Sequence, residues 1–425
     1  MLKDLRYALR MLRKNPGFAA VAICSLAIGI GATSAIYSFA DMLLLRPLPV
    51  LEPSRVVTIN AVSSAMFKSS SSISYPDYVD LRDRNRTFDG LVATSYSSFG
   101  FASDRDALPR MKFGMFVSGN FFQVMGVTPQ IGRAFRTEED QTPGREAVVV
   151  LSHDLWASEF AESPSIVGRR MWLNGAEFTV VGVAPKTFPG MGAVKPALYV
   201  PLAMSATLGA SNNLIQRDVR WLDVKGRLKP GLGIAQARAD VESIAGALRG
   251  MYPKADENLK LKVETELQLR AEQSPPDTAL IVMLSVLAVC VLLVACANVT
   301  GLLLSRATMR AREIALRLAV GASRGSLIRQ LLLENLLLSL AGGVAGLLIA
   351  LGAVDFFNGI PLPTDIPLNL NFHLDQRALL FTLAVAVFST FLFGLTPAVG
   401  TTKVDLIQGL KERDATASKG NRLWG

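Results

Sequence analysis

The chain is poor in the residues that bind metals, form disulfides or pair as nucleophile and base. Among 425 residues there are three cysteines, Cys24, Cys290 and Cys296, and two histidines, His153 and His373. All three cysteines lie inside apolar runs, which leaves the long polar region with none. A disulfide framework and the Cys/His spacings of zinc sites are thereby excluded. The histidines are far apart in sequence and read as surface or packing residues. In the long polar region (46–277) neither Gly-x-Ser-x-Gly nor His-Glu-x-x-His occurs, so no catalytic residue and no metal site is expected. Gly-x-x-x-x-Gly-Lys-Ser/Thr is missing as well, which removes the usual phosphate cradle. No cofactor is expected on this chain, and it is not expected to hydrolyse ATP itself.

Long stretches also lack charge. Residues 17–40, 278–305, 335–354 and 378–402 contain no Asp, Glu, Lys or Arg. About 20 helical residues cross a ~30 Å hydrocarbon core, so each run can span a membrane. Half of all residues are hydrophobic and the mean hydropathy is +0.34, too high for most soluble proteins and too low for a chain wholly in lipid. The expectation is a membrane protein with four transmembrane α-helices and a large α+β extracytoplasmic domain between helices 1 and 2. The first apolar run is too long for a cleaved signal, and no small-x-small site follows before Asp41 and Arg46, so it reads as an uncleaved signal anchor. The absence of charge inside the spans disfavours an ion-coupled carrier.

The net charge of +9 is gathered beside these runs. Lys3, Arg6, Arg10, Arg13 and Lys14 precede the first, six arginines lie between the second and third, and Lys403, Lys411, Arg413, Lys419 and Arg422 follow the fourth. Such clusters are topology signals before they are nucleic-acid patches, and they put both termini in the cytoplasm of an inner (plasma) membrane protein. The chain then divides into a cytoplasmic amphipathic helix (1–15), transmembrane helix 1 (16–45), an outer domain of two subdomains (46–277), helix 2 (278–305), a cytoplasmic stretch (306–331), helix 3 (332–357), an outer loop (358–377), helix 4 (378–402) and a cytoplasmic tail (403–425). Leu2, Leu5, Leu9 and Leu12 beside the basic residues form a face suited to inner-leaflet lipid, and Asn15-Pro16 restarts the chain as the next helix. Ala27, Gly31 and Ala35 put small residues on one face of span one, and Gly342, Gly346 and Ala350 do so in span three, as close helix packing requires. Asn298 in span two is expected to bond to a neighbouring helix.

The outer region changes period. Residues 147–152, 169–185 and 259–269 alternate or are β-branched and read as strands, with Asn174-Gly175 as a hairpin turn. Residues 233–252 carry Ala237, Val241, Ile244 and Leu248 at helical spacing, and residues 74–91 begin with a Pro-opened helix. Asp77, Asp80 and Asp83 lack the alternate spacing and central glycine of a Ca²⁺ loop and read as a solvated helix face. The stretch KSSSS at 68–72 reads as an exposed loop.

The basic stretch 306–335 has structure of its own. Arg306, Arg310, Glu313 and Arg317 share a helical face, and Glu313 precedes Arg317 in the favourable i, i+4 order. Gly321 suits a left-handed helix end and Ser323 can cap a second helix. A loop that only holds topology and touches anionic lipid would have the same composition. The defined turn favours a rigid helical prong that docks into a partner's groove.

At this point the residues resemble a known family. REIALRLAVGASRGSLIRQLLLEN is similar to the signature of FtsX/MacB-type ABC-transporter permeases. VSGNFFQVMGVTPQIGRAF, VGRRMWLNGAEFTVVGVAP and VKGRLKPGLGIAQARADVESIAGAL resemble the MacB-type periplasmic core domain, and the opening LKDLRYALRMLRKNPGFAAVAICSLAIGIGA resembles the branch in which two permease units are fused. The chain stops about where a second unit would begin, so it is expected to be a half-length paralogue, a fragment or a truncated product. The resemblance implies a mechanotransmission dimer working with an ABC ATPase subunit in trans, which brings ATP and Mg²⁺. It places Arg310, Arg312, Glu313, Arg317, Gly321, Ala322, Ser323 and Arg324 in the ATPase-coupling region, with Arg329 and Glu334 anchoring the start of span three. Expected partners are that ATPase, a second permease unit (another copy or a fused or paralogous half), a periplasmic adaptor protein and membrane lipid, with no nucleic acid. The leading expectation is export or efflux of a substrate from the outer side. The alternatives are an FtsX-like regulator or scaffold that signals to an envelope enzyme, and an inactive orphan half-permease.

Overall fold

Alternation along the strands of the outer region builds a sheet that is buried on both faces. The computed structural model describes residues 10, 13–62, 72–192, 194–209, 213–256, 259–320 and 323–359, with short pieces between 379 and 388. The chain separates into a helical unit, containing residues 1–43 and 276–361, and an outer unit containing residues 44–275. In order, the elements are α1 (Pro16–Ala40), β1 (Val56–Ala61), β2 (Ile73–Ser74), α2 (Tyr75–Arg84), β3 (Phe88–Ala102), β4 (Arg110–Val117), α3 (Phe121–Met125), β5 (Ile131–Gly132) and β6 (Val148–Leu151). They continue with α4 (His153–Phe160), β7 (Arg170–Leu173), β8 (Ala176–Val183), β9 (Leu198–Pro201), β10 (Arg220–Leu228), α5 (Ile234–Met251), β11 (Leu261–Thr265), α6 (Glu266–Gln273), α7 (Pro275–Ala319) and α8 (Arg324–Asn358).

The outer unit is one eleven-stranded sheet in the order β11-β1-β10-β3-β4-β9-β6-β8-β5, with β2 on β10 and β7 joining β3 to β8. Among the described residues only β4–β9 and β6–β8 pair in parallel. Successive side chains on a strand point to opposite faces, and the core obeys this. Val149, Leu151, Leu198 and Val200 join one cluster, with Tyr78, Leu81, Trp156, Val241 and Leu248 from the helices. Val148, Val150 and Tyr199 join the other, with Phe121, Phe122, Phe135 and Phe188. Each fully buried side chain of this size contributes roughly 1.5–3 kcal/mol. The Asn174-Gly175 hairpin forms as read, with both residues left-handed at φ 49° and 82°, the geometry of a type I′ turn. Asn174 also ties the hairpin down: its Oδ1 accepts from Gly100 N at 2.7 Å and its Nδ2 donates to Leu208 O at 2.8 Å.

Three readings need correction. The strand read at 259–269 ends at Thr265, because Thr265 and Gln268 form a capping box that starts α6. The acidic residues of α2 do not form a solvated face: Asp77 has no exposed surface, while Asp83 is exposed. Asn298 is exposed on α7, and no hydrogen bond joins it to another described helix.

Among the described residues of the helical unit, three helices are long and apolar enough to cross a membrane, with candidate spans at Pro16–Ala40, Thr278–Leu302 and Leu332–Asn358. Gly342 lies against Leu26, Gly346 against Ile30 and Gly31 against Ile349, so both helices advance together and α1 and α8 run parallel. Gly29 meets Ala295 and Leu292, while Thr33 Oγ1 lies 3.2 Å from Ala288 O, so α7 runs antiparallel to α1. The fourth run (378–402) lies largely outside the described residues, and the leucines of the N-terminal helix, most of KSSSS and the tail lie wholly outside.

Candidate functional site

The basic stretch sits on the two longest helices. α7 is one helix of 45 residues, and its apolar window ends at Leu302. It therefore continues from 303 to 319 beyond the window, about 25 Å at ~1.5 Å per residue. Arg310, Arg312, Glu313 and Arg317 lie on this extension; Leu316 on it and Val320 just past its end are exposed. Gly321 and Ala322 lie outside the described residues; Ser323 is exposed and Arg324 is the first residue of α8. α7 and α8 have opposite directions relative to α1. The end of α7, the start of α8 and the start of α1 share one side of the helical unit.

The small-residue stripes meet. Ala27 is 3 % exposed and Ala350 fully buried, while Gly31, Gly342 and Gly346 are so close to the facing helix that an added Cβ would lie within 3.0 Å of it. Ala35 is half-buried. Sequence reasoning missed the continuation of the stripe. Glu334, Asn335 and Ser339 are buried as well, and stepping back by four from Gly342 through Leu338 reaches Glu334. That spacing was the available signal, obscured by the charge of Glu334. Cys296 is buried in the helical unit, whereas Cys24 and Cys290 are exposed.

The outer unit begins and ends on neighbouring strands. β1, which follows span one, pairs antiparallel with β11, which precedes α6 and span two. A charged network braces this neck. Lys225 Nζ donates to Thr58 Oγ1 at 2.9 Å and to Glu266 Oε2 at 2.7 Å. Arg270 Nε donates to Glu266 Oε1 at 3.1 Å, and its Nη1 donates to Arg46 O at 2.8 Å. Burial alone would raise the Glu266 carboxyl; Lys225 and Arg270 overcome it and hold that group below the usual glutamate range. Arg270 thus links the residues after span one to those before span two.

A second cluster gathers Asp77 and Asp80 of α2, Arg217 and Arg220 before and in β10, and Asp256 after α5. Arg217 bonds to Asp77 through Nη1 and to Asp80 through Nη2, the latter at 2.7 Å. Among the described residues no group of three or more His, Cys, Asp or Glu is placed to hold a metal ion. His153 opens α4 and packs edge-on against Trp156, with 5.7 Å between ring centroids; His373 lies outside the described residues.

Three apolar helices and a large outer domain define a membrane protein with a periplasmic domain inserted after its first helix. A family model for the MacB-like periplasmic core domain matches residues 19–244, and one for the FtsX-like permease C-terminal region matches residues 285–406. The first covers more than half of the chain, and the chain belongs to the MacB/FtsX-type permease family. Among curated relatives, the macrolide export ATP-binding/permease protein MacB of Escherichia coli K12 is 28% identical over 296 residues, which is 69% of this chain and 42% of that protein. The protein of the same name from Shigella flexneri matches to the same extent. The chain thus spans less than half the length of these relatives. The crystal structure of the periplasmic region of MacB from Actinobacillus actinomycetemcomitans aligns with a TM-score of 0.39 at 15% identity, covering 53% of this chain and 94% of that one.

Proposed function

We propose that this chain is a permease subunit of the mechanotransmission type, driven by a separate ABC ATPase. It couples ATP hydrolysis on the cytoplasmic side to movement of its periplasmic domain, and so exports or extrudes substrate across the inner membrane. The name of the curated relatives, macrolide export, supports the direction of transport. Both termini and the 306–331 stretch are cytoplasmic, a fourth span lies at 378–402, and a second permease unit completes the working pair. The chain itself performs no catalysis.

The observation that carries this reading is the continuity of α7. One unbroken helix runs from Pro275, just after the neck of the outer unit, through the apolar window to Ala319 in the arginine stretch. A helix is stiff along its axis, so a push on its end is passed along it. The paired strands β1 and β11 then take up the displacement together.

Co-expression with candidate ATPase subunits tests the proposal, with pull-down and ATP turnover as readouts. Arg317→Glu and Gly321→Pro are compared with the unmodified chain, and membrane insertion is checked in parallel. Loss of ATPase binding in both variants, with insertion intact, supports a coupling prong. Binding that survives both changes refutes it and leaves the arginines as topology signals.

A further inference from the structure

One group of charges in the outer unit is not explained by packing. Asp256 has no exposed surface, and neither of its carboxylate oxygens has a hydrogen-bond partner. Asp77 is equally buried, and its Oδ2 has none either. Arg217 and Arg220 approach Asp256 only to 3.6 and 3.7 Å, longer than a hydrogen bond. Arg217 is committed elsewhere. It holds Asp77 and Asp80, and its guanidinium sits 3.7 Å from the centroid of the Tyr252 ring, a cation–π contact. Arg84 takes the other oxygen of Asp80 at 3.2 Å. Two buried carboxylates side by side do not both stay ionised without donors. One proton on Asp256, donated to Asp77, gives both groups a partner.

We propose that Asp256 and Asp77 share a proton and form a pH-operated latch, fastening α2 to the segments that follow α5 and precede β10. These three pieces are distant in the chain; the pairing of Ile73 and Ser74 with β10 and the packing of Tyr78 and Leu81 beside Val241 and Leu248 bring them together, and the charged cluster lies where they meet. Hydrogen bonds from Asp256 N to Tyr252 O at 2.9 Å and from Leu259 N to Asp256 O at 2.9 Å fix the Asp256 backbone. With the proton in place, the carboxyl pair closes the cluster around Arg217. Without it, two adjacent buried negative charges repel; Arg217 still holds Asp77 directly, whereas Asp256 keeps only its looser contacts to Arg217 and Arg220.

The direction follows from the charges that face Asp256. Burial, then the Asp77 carboxylate, push the Asp256 carboxyl up to about 6, while Arg217 and Arg220 pull the other way. The packed state binds this proton more tightly than an opened state does. The latch is therefore fastened below about 6 and released as pH rises through that value. That the latch meets the pH of the medium rests on the periplasmic placement proposed above; its existence does not.

Hydrogen–deuterium exchange on the full chain in lipid nanodiscs tests it, with rates corrected for the intrinsic pH dependence of amide exchange. Peptides covering 75–84 and 252–256 should exchange roughly tenfold faster at about pH 7.5 than at about pH 5. Asp256→Asn should remain slow at both values. Asp140 is the necessary control, because burial pushes its carboxyl up to about 6 as well while the amides of Ala203 and Gly119 hold it. Asp140→Asn should keep the full response. Arg220→Gln, which removes a charge favouring ionised Asp256, should move the midpoint upward, a shift that a purely structural role does not produce. The proposal is overturned if the unmodified chain shows no pH response in these peptides. It is equally overturned if the response survives Asp256→Asn or disappears in Asp140→Asn, or if the midpoint stays fixed in Arg220→Gln.

Discussion

The parallel pairing of α1 and α8 makes a sharp prediction at two glycines of the same helix. A Cβ on Gly342 would lie 2.6 Å from Leu26 Cβ and 3.1 Å from its Cδ1. Non-bonded carbons rest at ~3.5–4.0 Å, so a side chain there forces the helices apart by about 1 Å. Gly346, whose added Cβ would meet Ile30 Cβ at 2.9 Å and Ala27 O at 3.1 Å, and Gly31 against Ile349 would then lose contact as well. Overpacking of this kind costs about 1–3 kcal/mol. Gly352, on the same helix, has nothing within 4 Å of an added Cβ. Replacing glycine by leucine raises helix propensity by up to ~1 kcal/mol at either site, so the difference between the two variants reports the clash alone. Gly342→Leu should be less stable than Gly352→Leu by about 1–3 kcal/mol in reversible unfolding from mixed micelles. With Cys24, Cys290 and Cys296 replaced by serine, cysteines at positions 26 and 342 should form a disulfide on mild oxidation, whereas cysteines at 26 and 356 should not. Equal stability of the two leucine variants, or cross-linking of 26 to 356, refutes the parallel packing and with it the shared side of α1 and the arginine stretch.

Three further outcomes follow from the outer unit. Lys225→Met leaves half-buried Glu266 with Arg270 as its remaining cation and should destabilise the protein by about 2 kcal/mol. Because the Glu266 carboxyl is held below its usual range, its contribution is full above that range and is lost as pH falls through the lowered value; Lys225→Met should flatten this acid limb in a pH series of thermal melts. Gly175→Val forces a β-branched residue to φ 82° and should cost about 2 kcal/mol by chemical denaturation, whereas Gly250→Ala, in open space on α5, should be neutral or stabilising. Thr265→Ala removes the side-chain acceptor for Gln268 N and should cost about 1 kcal/mol, read as faster amide exchange in α6 with β11 unchanged.

What could be read in advance depended on the range of the interaction. The β-branched run in residues 148–151, the Asn174-Gly175 turn and the 3–4 spacing in α5 are local patterns, and each formed as read. Thr265 shows a local signal overruled by another: the capping box was present in the letters, but alternation through Leu269 concealed it. Asp77 was not legible at all. Its environment is made by Arg217 and Asp256, which meet it only once the sheet has formed, and a carboxylate on a helix with neighbouring arginines otherwise reads as solvated. The same limit applies to the neck, where Lys225 joins Thr58 and Glu266 across 167 and 41 residues.

The neck bears most directly on how such a permease could move. A domain inserted between two spans can be carried by two independent tethers or by one stiff stem. Independent tethers would let the domain tilt freely when either helix moves, and motion at the arginine stretch would be dissipated. Here β1 and β11 are hydrogen-bonded neighbours, and Arg270 reaches back to the carbonyl of Arg46, so the two tethers are joined at their outer ends. Arg270→Ala separates the two alternatives, because it cuts the cross-tie while leaving the ladder from Val57 to Ala61 in place. On the stem reading, this variant keeps ATPase binding but loses coupling between nucleotide state and the conformation of the outer domain, measured by spin labels at 62 and 267. If the label distances respond to nucleotide as in the unmodified chain, the cross-tie transmits nothing, and the continuous rod of α7 must carry the motion without it.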